Sequence, residues 1–231
     1  MTKQKLDQYN GKLTPAQIAV GINVSRINAR RLAEDAKTLF EAKRLPSAAS
    51  LAILSIEESG KSTILRQLAI AESEEEIRNC WKDYRSHTKK NVLVLLPQMV
   101  KDGARHLSNF EPLFNSDAEH PFLVDMVKQI GFYTDCLGKA NWSVPLDVIN
   151  ENLAHYLVFT ATLLSEHDHE ITPREIELWI ENMKPVKHKD MKANKIALRN
   201  WWTAMQAEGI AKPGENEMEK FVFGTTEGGD N

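Results

Sequence analysis

Apolar residues recur at helical spacing through most of this chain, and the pattern starts at a capping signal near the N-terminus. Thr14 followed by Pro15 is typical of a helix N-cap and first helical position, because the missing N–H of proline costs nothing there. Apolar positions over residues 18–43 alternate with arginine, lysine and glutamate at helical intervals. The pattern predicts one long helix with a buried face and a solvated face.

A stripe of small and β-branched residues marks a second predicted helix, which begins at Pro46. The stripe consists of Ala49, Ala52, Ile53, Ile56, Gly60 and Ile64. Small side chains let neighbouring helices approach closely, so we expect this helix at the centre of the core. Ser73 with Glu76 three residues later forms a capping-box pattern, which predicts a third helix ending near Pro97.

Turn-forming residues interrupt the helical pattern in two places. Residues 101–121 are polar and predict a mobile loop, whereas residues 131–145 predict a turn-rich excursion that holds at most a short β-like pair. Helical spacing resumes over residues 146–164, a further cap signal stands at Thr172, and the last helix is expected over residues 187–208.

The fold class predicted from these elements is all-α, a bundle of antiparallel helices with a short extended excursion near 131–145. We expect an N-terminal arm at residues 1–13, a helical domain at 14–210 and a flexible C-terminal tail at 211–231, which is rich in glycine.

Charge and composition limit the classes of function. A net charge of −3 argues against a protein that coats nucleic acid, although a local basic patch remains possible. The N-terminus is too polar for a signal peptide or a membrane anchor, and Pro97 breaks the longest apolar stretch. Cys80 and Cys136 suit a reducing compartment and are expected to be buried. These features predict a soluble, cytoplasmic protein without a membrane partner.

Polar residues beside apolar positions form a first candidate cluster. Glu57, Glu58 and Lys61 lie within one turn and a half of the small-residue helix. They are either an ion pair on the helix surface, worth about 0.3 kcal/mol, or part of a site at the edge of the core.

Two further clusters contain groups suited to binding or acid–base chemistry. Tyr84, His87 and Lys90 are three residues apart and are expected to share a helical face, where the imidazole could transfer protons. The alternative is a half-buried histidine beside surface lysines. Lys128, Tyr133 and Asp135 lie on a segment that leaves a helix, either as binding residues or with Tyr133 packed and hydrogen-bonded.

Two apparent motifs are set aside. The acids and histidines at residues 166–170 point in different directions from a helix end, so a metal site there is disfavoured. Gly60-Lys61-Ser62 lacks the strand and the first glycine of a phosphate-binding loop. We expect neither a metal nor a cofactor.

The segment that carries the first cluster resembles the signature of AbiV-type abortive infection proteins. It is residues 44–61, with the sequence RLPSAASLAILSIEESGK. Later residues in the order and spacing of that family are His87, Lys90, Lys128, Tyr133, Asp135, Trp142 and Pro145. The resemblance covers roughly residues 25–185. It implies bacterial antiphage defence, in which an infected cell stops its own growth before virus is released.

The resemblance also implies a relation to the HEPN superfamily of helical proteins. Active HEPN members are often dimeric, metal-independent ribonucleases that use an arginine and a histidine separated by four to six residues. No arginine of this chain precedes a histidine by that interval, and the nearest substitute is Lys82 before His87. A lysine binds phosphate without the bidentate fork of arginine. Whether the chain is an enzyme therefore stays open.

The candidate residues fall into two predicted roles. Those assigned to catalysis are Glu57, Glu58, Lys61, His87, Tyr133 and Asp135. Those assigned to RNA or phosphate are Lys82, Arg85, Lys89, Lys90 and Lys128. In this interpretation His87 is the acid–base group and a nearby lysine stabilises charge on the phosphorane. We expect the three clusters to converge on one site.

Three functions are compatible with these residues. The first is an effector that arrests translation or growth by cutting RNA or by binding a component of the translation machinery. The second is a non-enzymatic protein-interaction module whose polar cluster is structural. The third is a regulatory protein or sensor that recognises a phage product through the loop near Asn115. A homodimer is expected in each case, formed through the small-residue stripe and the helix that carries Trp201 and Trp202.

Overall fold

Two long antiparallel helices joined by a short turn form the centre of the protein in the computed structural model, which describes residues 7–115, 117–167 and 169–224. Helix α1 spans Pro15–Glu41 and helix α2 spans Leu45–Ala69. The hydroxyl of Thr14 accepts a hydrogen bond from the Gln17 backbone N–H, and the Gln17 side chain accepts one from the Thr14 N–H. This reciprocal cap confirms the predicted start of α1.

The other elements are shorter and follow along the chain. The helices are α3 Glu74–Arg85, α4 His87–Lys90, α5 Leu96–Lys101, α6 His120–Phe132, α7 Pro145–Val148, α8 Glu151–Ser165, α9 Pro173–Met183, α10 Met191–Ala207 and α11 Glu217–Phe223. Single 3-10 segments occupy Val92–Leu95, Leu107–Phe114 and Lys184–Val186. Strands β1 Cys136–Leu137 and β2 Asn141–Trp142 form one antiparallel pair. The predicted all-α fold is confirmed, including the short β-like pair within the excursion.

Helix α2 lies at the centre of the main core, as its small-residue stripe predicts. Helices α1, α3, α6 and α8 all pack against it. The stripe residues with no solvent exposure are Ala49, Ala52, Ile53 and Ile56. The stripe is therefore covered within one chain, and it leaves no surface there for the second copy that the sequence predicts.

The third helix ends earlier than the sequence predicts. Ser86 adopts an extended conformation with φ −79° and ψ 129°, so α3 ends at Arg85 and α4 begins at His87. Serine competes with helical hydrogen bonding through its own side chain, which favours such a break. Pro97 lies in the first turn of α5 and does not end a helix. The helical face expected for Tyr84, His87 and Lys90 is consequently wrong.

The two predicted irregular segments contain more helix than expected. Phe110 and Leu113 of the 3-10 segment Leu107–Phe114 are buried, and this segment packs against α5, α11 and the 3-10 segment Val92–Leu95. Gly131 lies inside α6 and does not interrupt it. The excursion therefore starts at Tyr133.

The C-terminal region also differs from its prediction. Helix α10 begins at Met191, capped by the carboxylate of Asp190, and not at residue 187. Residues 217–223, predicted as flexible tail, form α11, in which Val222 is buried. Burial of the apolar Val222 side chain stabilises the folded protein and holds α11 in place, although glycines lie on both sides of this helix. Residues 225–231 of the predicted tail lie outside the described residues.

Three remaining expectations concern exposure. Trp201 is buried and meets Trp179 edge to face at 5.1 Å between ring centroids, so it does not offer a surface to a second chain. Cys80 is half-buried and Cys136 is exposed, so their predicted burial is wrong, since Cys136 lies in the exposed strand β1. Among the described residues, no helix is both long and apolar enough to cross a membrane.

Candidate functional site

A single buried carboxylate, that of Glu57 on α2, gathers three basic side chains. Glu57 is only 2 % exposed. Its Oε2 lies 2.6 Å from His87 Nδ1 and 3.7 Å from Lys90 Nζ. Its Oε1 accepts a hydrogen bond of 2.7 Å from Lys128 Nζ. Residues from all three sequence clusters therefore meet at one carboxylate.

Two glycines allow the flanking helices to come this close to α2. A Cβ at Gly60 would lie 2.3 Å from the carbonyl oxygen of Lys90, and one at Gly131 would lie 2.3 Å from Ser50 Oγ. Because Gly60 has no side chain, the backbone of α4 can approach α2 closely. Because Gly131 has none, α6 can approach α2 in the same way. The side chains of His87, Lys90 and Lys128 reach Glu57 as a result.

The imidazole of His87 is oriented by Glu57 and opens to solvent. An ionised carboxylate only accepts hydrogen bonds, so the 2.6 Å contact requires the proton on Nδ1. In the neutral ring this leaves Nε2 with a free lone pair. The side chain is 52 % exposed, in contrast to its buried partner. The pair thus has the arrangement of a general base whose tautomer is fixed by a second residue.

Lys90 and Lys128, the two lysines of the network, are both buried, and the pKa of Lys90 is shifted. Burial lowers the pKa of Lys90, and the attraction of Glu57 opposes this effect only in part. Lys128 has a second carboxylate partner, since Asp125 Oδ1 lies 2.7 Å from its Nζ as an ion pair without hydrogen-bond geometry. Sequence reasoning missed Asp125, although its position three residues before Lys128 on one helix was a usable signal.

The pair Glu58 and Lys61 lies beside this network and does not join it. Glu58 Oε1 accepts a hydrogen bond of 2.6 Å from Lys61 Nζ, and both side chains are largely buried. Lys61 Nζ also lies 5.0 Å from the centroid of the Tyr84 ring, a cation–π contact. The charge of Lys61 helps to lower the pKa of Lys90, so the two groups are near neighbours.

Tyr133 and Asp135 are not in contact with Glu57. Tyr133 is exposed. Asp135 organises the β-hairpin: its Oδ1 accepts the backbone N–H of Cys136, and its own N–H donates to Ser143 Oγ at 2.8 Å. Both residues line a cleft of about 400 Å³ that Asp125 also lines. They therefore share a cleft with Asp125, the second carboxylate partner of Lys128.

The cations predicted for phosphate do not form one patch. Lys90 and Lys128 are buried at Glu57. Arg85 donates to Asn10 Oδ1 at 2.7 Å and to the Tyr9 carbonyl at 2.6 Å, so it fixes the N-terminal arm. Lys82 and Lys89 are exposed, and Lys89 lines a cleft of about 230 Å³ next to Gly60. Lys82 and Lys89 are thus the predicted phosphate ligands that face solvent, and Lys89 is the nearer of the two to His87 along the chain.

A metal ion is a poor fit for the same residues. Oxygen or nitrogen atoms of Glu57, His87 and Asp125 lie within 4.8 Å of one another, as in a ligand set. However, Lys128 Nζ lies 2.7 Å from both carboxylates, so an ammonium group holds the position of a cation. The buried charge of Lys90 would further repel a divalent ion.

Comparison with known proteins adds one result to this geometry. A family model described as AbiV (HEPN_AbiV) matches residues 17–166, about two thirds of the chain. The matched span includes all of α1 but its first two residues, α2 through α8, and every residue bound to Glu57. Neither a search of curated proteins nor a search of solved structures gave a significant match.

Proposed function

Because the chain belongs to the AbiV family of HEPN proteins, we propose that it is an antiphage abortive-infection effector that acts in the cytoplasm and stops growth of an infected cell. The finer proposal is that it attacks RNA, and through RNA halts translation. The observation that supports it is the half-exposed His87 held by the buried Glu57.

The chemistry available to His87 is proton transfer at its outward-facing Nε2. As a base, Nε2 takes the proton of a ribose 2′-hydroxyl while that oxygen attacks the adjacent phosphorus. The bond from phosphorus to the 5′-oxygen then breaks, the imidazolium returns the proton to the leaving oxygen, and a 2′,3′-cyclic phosphate remains. Lys89, exposed two residues away, is placed to attract the phosphate.

A second candidate function has its own supporting observation. Glu57, Lys90 and Lys128 are all buried, as in a polar network that specifies helix packing and does no chemistry. In that case the protein arrests growth by binding a component of the translation machinery or a phage protein. The exposed imidazole favours the first candidate, because a purely structural network does not need a solvent-facing base.

RNA profiling during infection distinguishes the two candidates. In cells expressing the wild-type protein, we expect total RNA to fragment after phage infection, with cyclic phosphate ends. In cells expressing His87→Ala at equal abundance, RNA should remain intact. If the wild-type protein protects while RNA stays whole, the cleavage proposal fails and the binding alternative gains support.

The homodimer expected from the sequence remains a proposal, but another surface supports it. Val20, Val24 and Ile27 lie one turn apart on α1 and are 61, 54 and 70 % exposed. Such a stripe fits a two-fold contact with the same helix of a second copy. Sedimentation velocity at micromolar concentration should show a dimer that Val24→Arg converts to monomer. Met191→Arg, at an equally exposed apolar residue (53 %) on α10, should remain dimeric, and a wild-type monomer would contradict the proposal.

A further inference from the structure

A second cleft, remote from Glu57, lies between α1 and the segment that joins α8 to α9. Its volume is about 730 Å³. The basic residues that line it are Arg26, Arg30, Arg31, His167 and His169. Both histidines follow residue 166, so they lie beyond the span matched by the family model. Neither candidate function proposed above uses these side chains.

The wall of this cleft is fixed by hydrogen bonds between α1 and the joining segment. Asn23 donates to the Ile171 carbonyl at 2.8 Å and accepts from the Ile171 N–H at 2.9 Å. Arg26 Nη1 donates to the carbonyl of His169, and Arg30 Nη2 donates to the carbonyl of His167. Because carbonyl oxygens carry no net charge, these contacts position the two guanidinium groups without neutralising them.

Glu175, a buried carboxylate near these arginines, already has two other partners. Glu175, on α9, accepts a hydrogen bond of 2.7 Å from Arg66 and lies 3.1 Å from His169 Nε2. Glu34 and Glu170 also line the cleft, and both are exposed, where solvent screens their charge. The half-buried Arg26 therefore has no carboxylate within ion-pair distance among the described residues.

The electrostatic effect on neighbouring groups indicates an excess of positive charge. Burial lowers the pKa of Arg26 and repulsion by Arg66 lowers it further, whereas the attraction of Glu175 opposes these effects only in part. The pKa of His167 falls to about 4, first because of burial and then because of the cations of Arg26 and Arg30. A bound anion would attract both cationic forms, so it would raise the pKa of Arg26 and of His167.

Hydrogen-bonding atoms in the cleft are also left without partners. Arg26 Nε and His167 Nε2 are both buried and have no hydrogen-bond partner among the described residues. Unpaired buried polar atoms are rare in folded proteins, so these two atoms have hydrogen-bonding capacity that the described residues do not use. Guanidinium groups match the oxygens of phosphate in spacing and charge.

We propose that this cleft binds the phosphate group of a small phosphorylated ligand, with Arg26, Arg30 and His167 as the residues that contact it. The site is independent of the Glu57 network. Arg66, whose charge acts on Arg26, and Glu57 are both on α2, separated by about 13.5 Å at a helical rise of about 1.5 Å per residue.

Titration of the full-length protein with inorganic phosphate and with 5′-AMP at constant ionic strength tests this proposal. We expect saturable binding by calorimetry, and Arg26→Gln should weaken it at least about tenfold, the equivalent of one lost charge-assisted hydrogen bond. The control is Arg78→Gln, an exposed arginine that pairs with Glu74, which should bind as the wild type does. Tighter binding of 5′-AMP than of phosphate identifies a nucleotide ligand, whereas equal binding identifies free phosphate.

The imidazole of His167 gives an independent readout. Bound phosphate should raise the pKa of His167 from about 4 towards its ordinary value, as followed by NMR titration of the ring protons. If Arg26→Gln does not fold, the exposed Arg30→Gln replaces it. Absence of saturable binding by both ligands, or equal binding by Arg26→Gln and the wild type, would overturn the proposal.

Discussion

Replacing Glu57 with alanine is expected to lower the free energy of unfolding by about 3 kcal/mol or more, the largest loss for any single side chain of the site. The reason is that Lys90 and Lys128 are both buried and share this carboxylate. In this variant Lys128 keeps Asp125 as a partner. Lys90 loses Glu57, the one carboxylate within ion-pair distance of it among the described residues. An ammonium group left in the core without its counter-charge pays a large desolvation cost. Urea denaturation of the purified variant measures the loss.

Two further variants separate this explanation from a general sensitivity of α2. Glu58→Ala removes the adjacent acid, which pairs only with Lys61 among the ion pairs of the described residues, and should cost about 1 kcal/mol. The double variant Glu57→Ala with Lys90→Met should be more stable than Glu57→Ala alone, because the unpaired ammonium is gone. A loss below about 1 kcal/mol for Glu57→Ala would show that the buried network is not held by this carboxylate.

Replacing His87 with alanine is expected to abolish antiphage protection while the protein stays folded. The imidazole is half exposed, and its removal leaves Glu57 bound to Lys128 at 2.7 Å. The cost in stability should therefore be about 1 kcal/mol, the value of a typical hydrogen bond. Thermal unfolding should begin within a few degrees of the wild type. Loss of protection would then follow from the missing Nε2 and not from loss of protein.

The contrasting variant is Ile53→Ala, which changes packing and leaves the polar site intact. Ile53 has no solvent exposure and lies in the middle of the main core. Truncation there typically costs about 2–5 kcal/mol, a large part of a total stability of about 5–15 kcal/mol. This variant should lose protection in proportion to its soluble abundance. Equal behaviour of the two variants in unfolding experiments would assign His87 a structural role.

Local signals in the sequence predicted the helices well where a side chain and its own backbone decide the structure. Thr14, Ser73 and Thr172 each accept a hydrogen bond from a backbone N–H three residues later, as their spacing predicts. The small-residue stripe of α2 placed it at the centre of the core for a similar reason, since periodicity and size are properties of the segment itself. The fold class followed from these signals.

The arrangement of the site could not be predicted in the same way, because it depends on contacts between distant segments. The break at Ser86 turns His87 towards Glu57, and nothing in the 74–97 periodicity indicates it. The close approach of α4 depends on Gly60, whose role becomes visible only when the Lys90 carbonyl is placed against it. The structure brings His87, Lys90 and Lys128 to Glu57 as expected, but by a different helical face, and it does not bring Glu58, Lys61, Tyr133 and Asp135 there.

Residues on loops were the least predictable part of the candidate site. Tyr133 and Asp135 follow α6 directly, yet Asp135 is used within its own hairpin. Arg85 was assigned to phosphate by its charge, whereas the structure pairs it with Tyr9 and Asn10 of the N-terminal arm. Charge and spacing identify which groups are available, but the backbone path of a loop decides which group faces which partner.

The central claim is that His87 is a functional residue of an antiphage effector. The efficiency of phage plating on cells that express His87→Ala tests this claim most directly. The control is His188→Ala, which removes another histidine that is exposed and lies near a carboxylate, 3.5 Å from Glu76. At matched soluble abundance, we expect phage to form plaques on His87→Ala cells as on cells without the protein, while His188→Ala protects as the wild type does. Full protection by His87→Ala would contradict the claim and leave the Glu57 network as a structural feature.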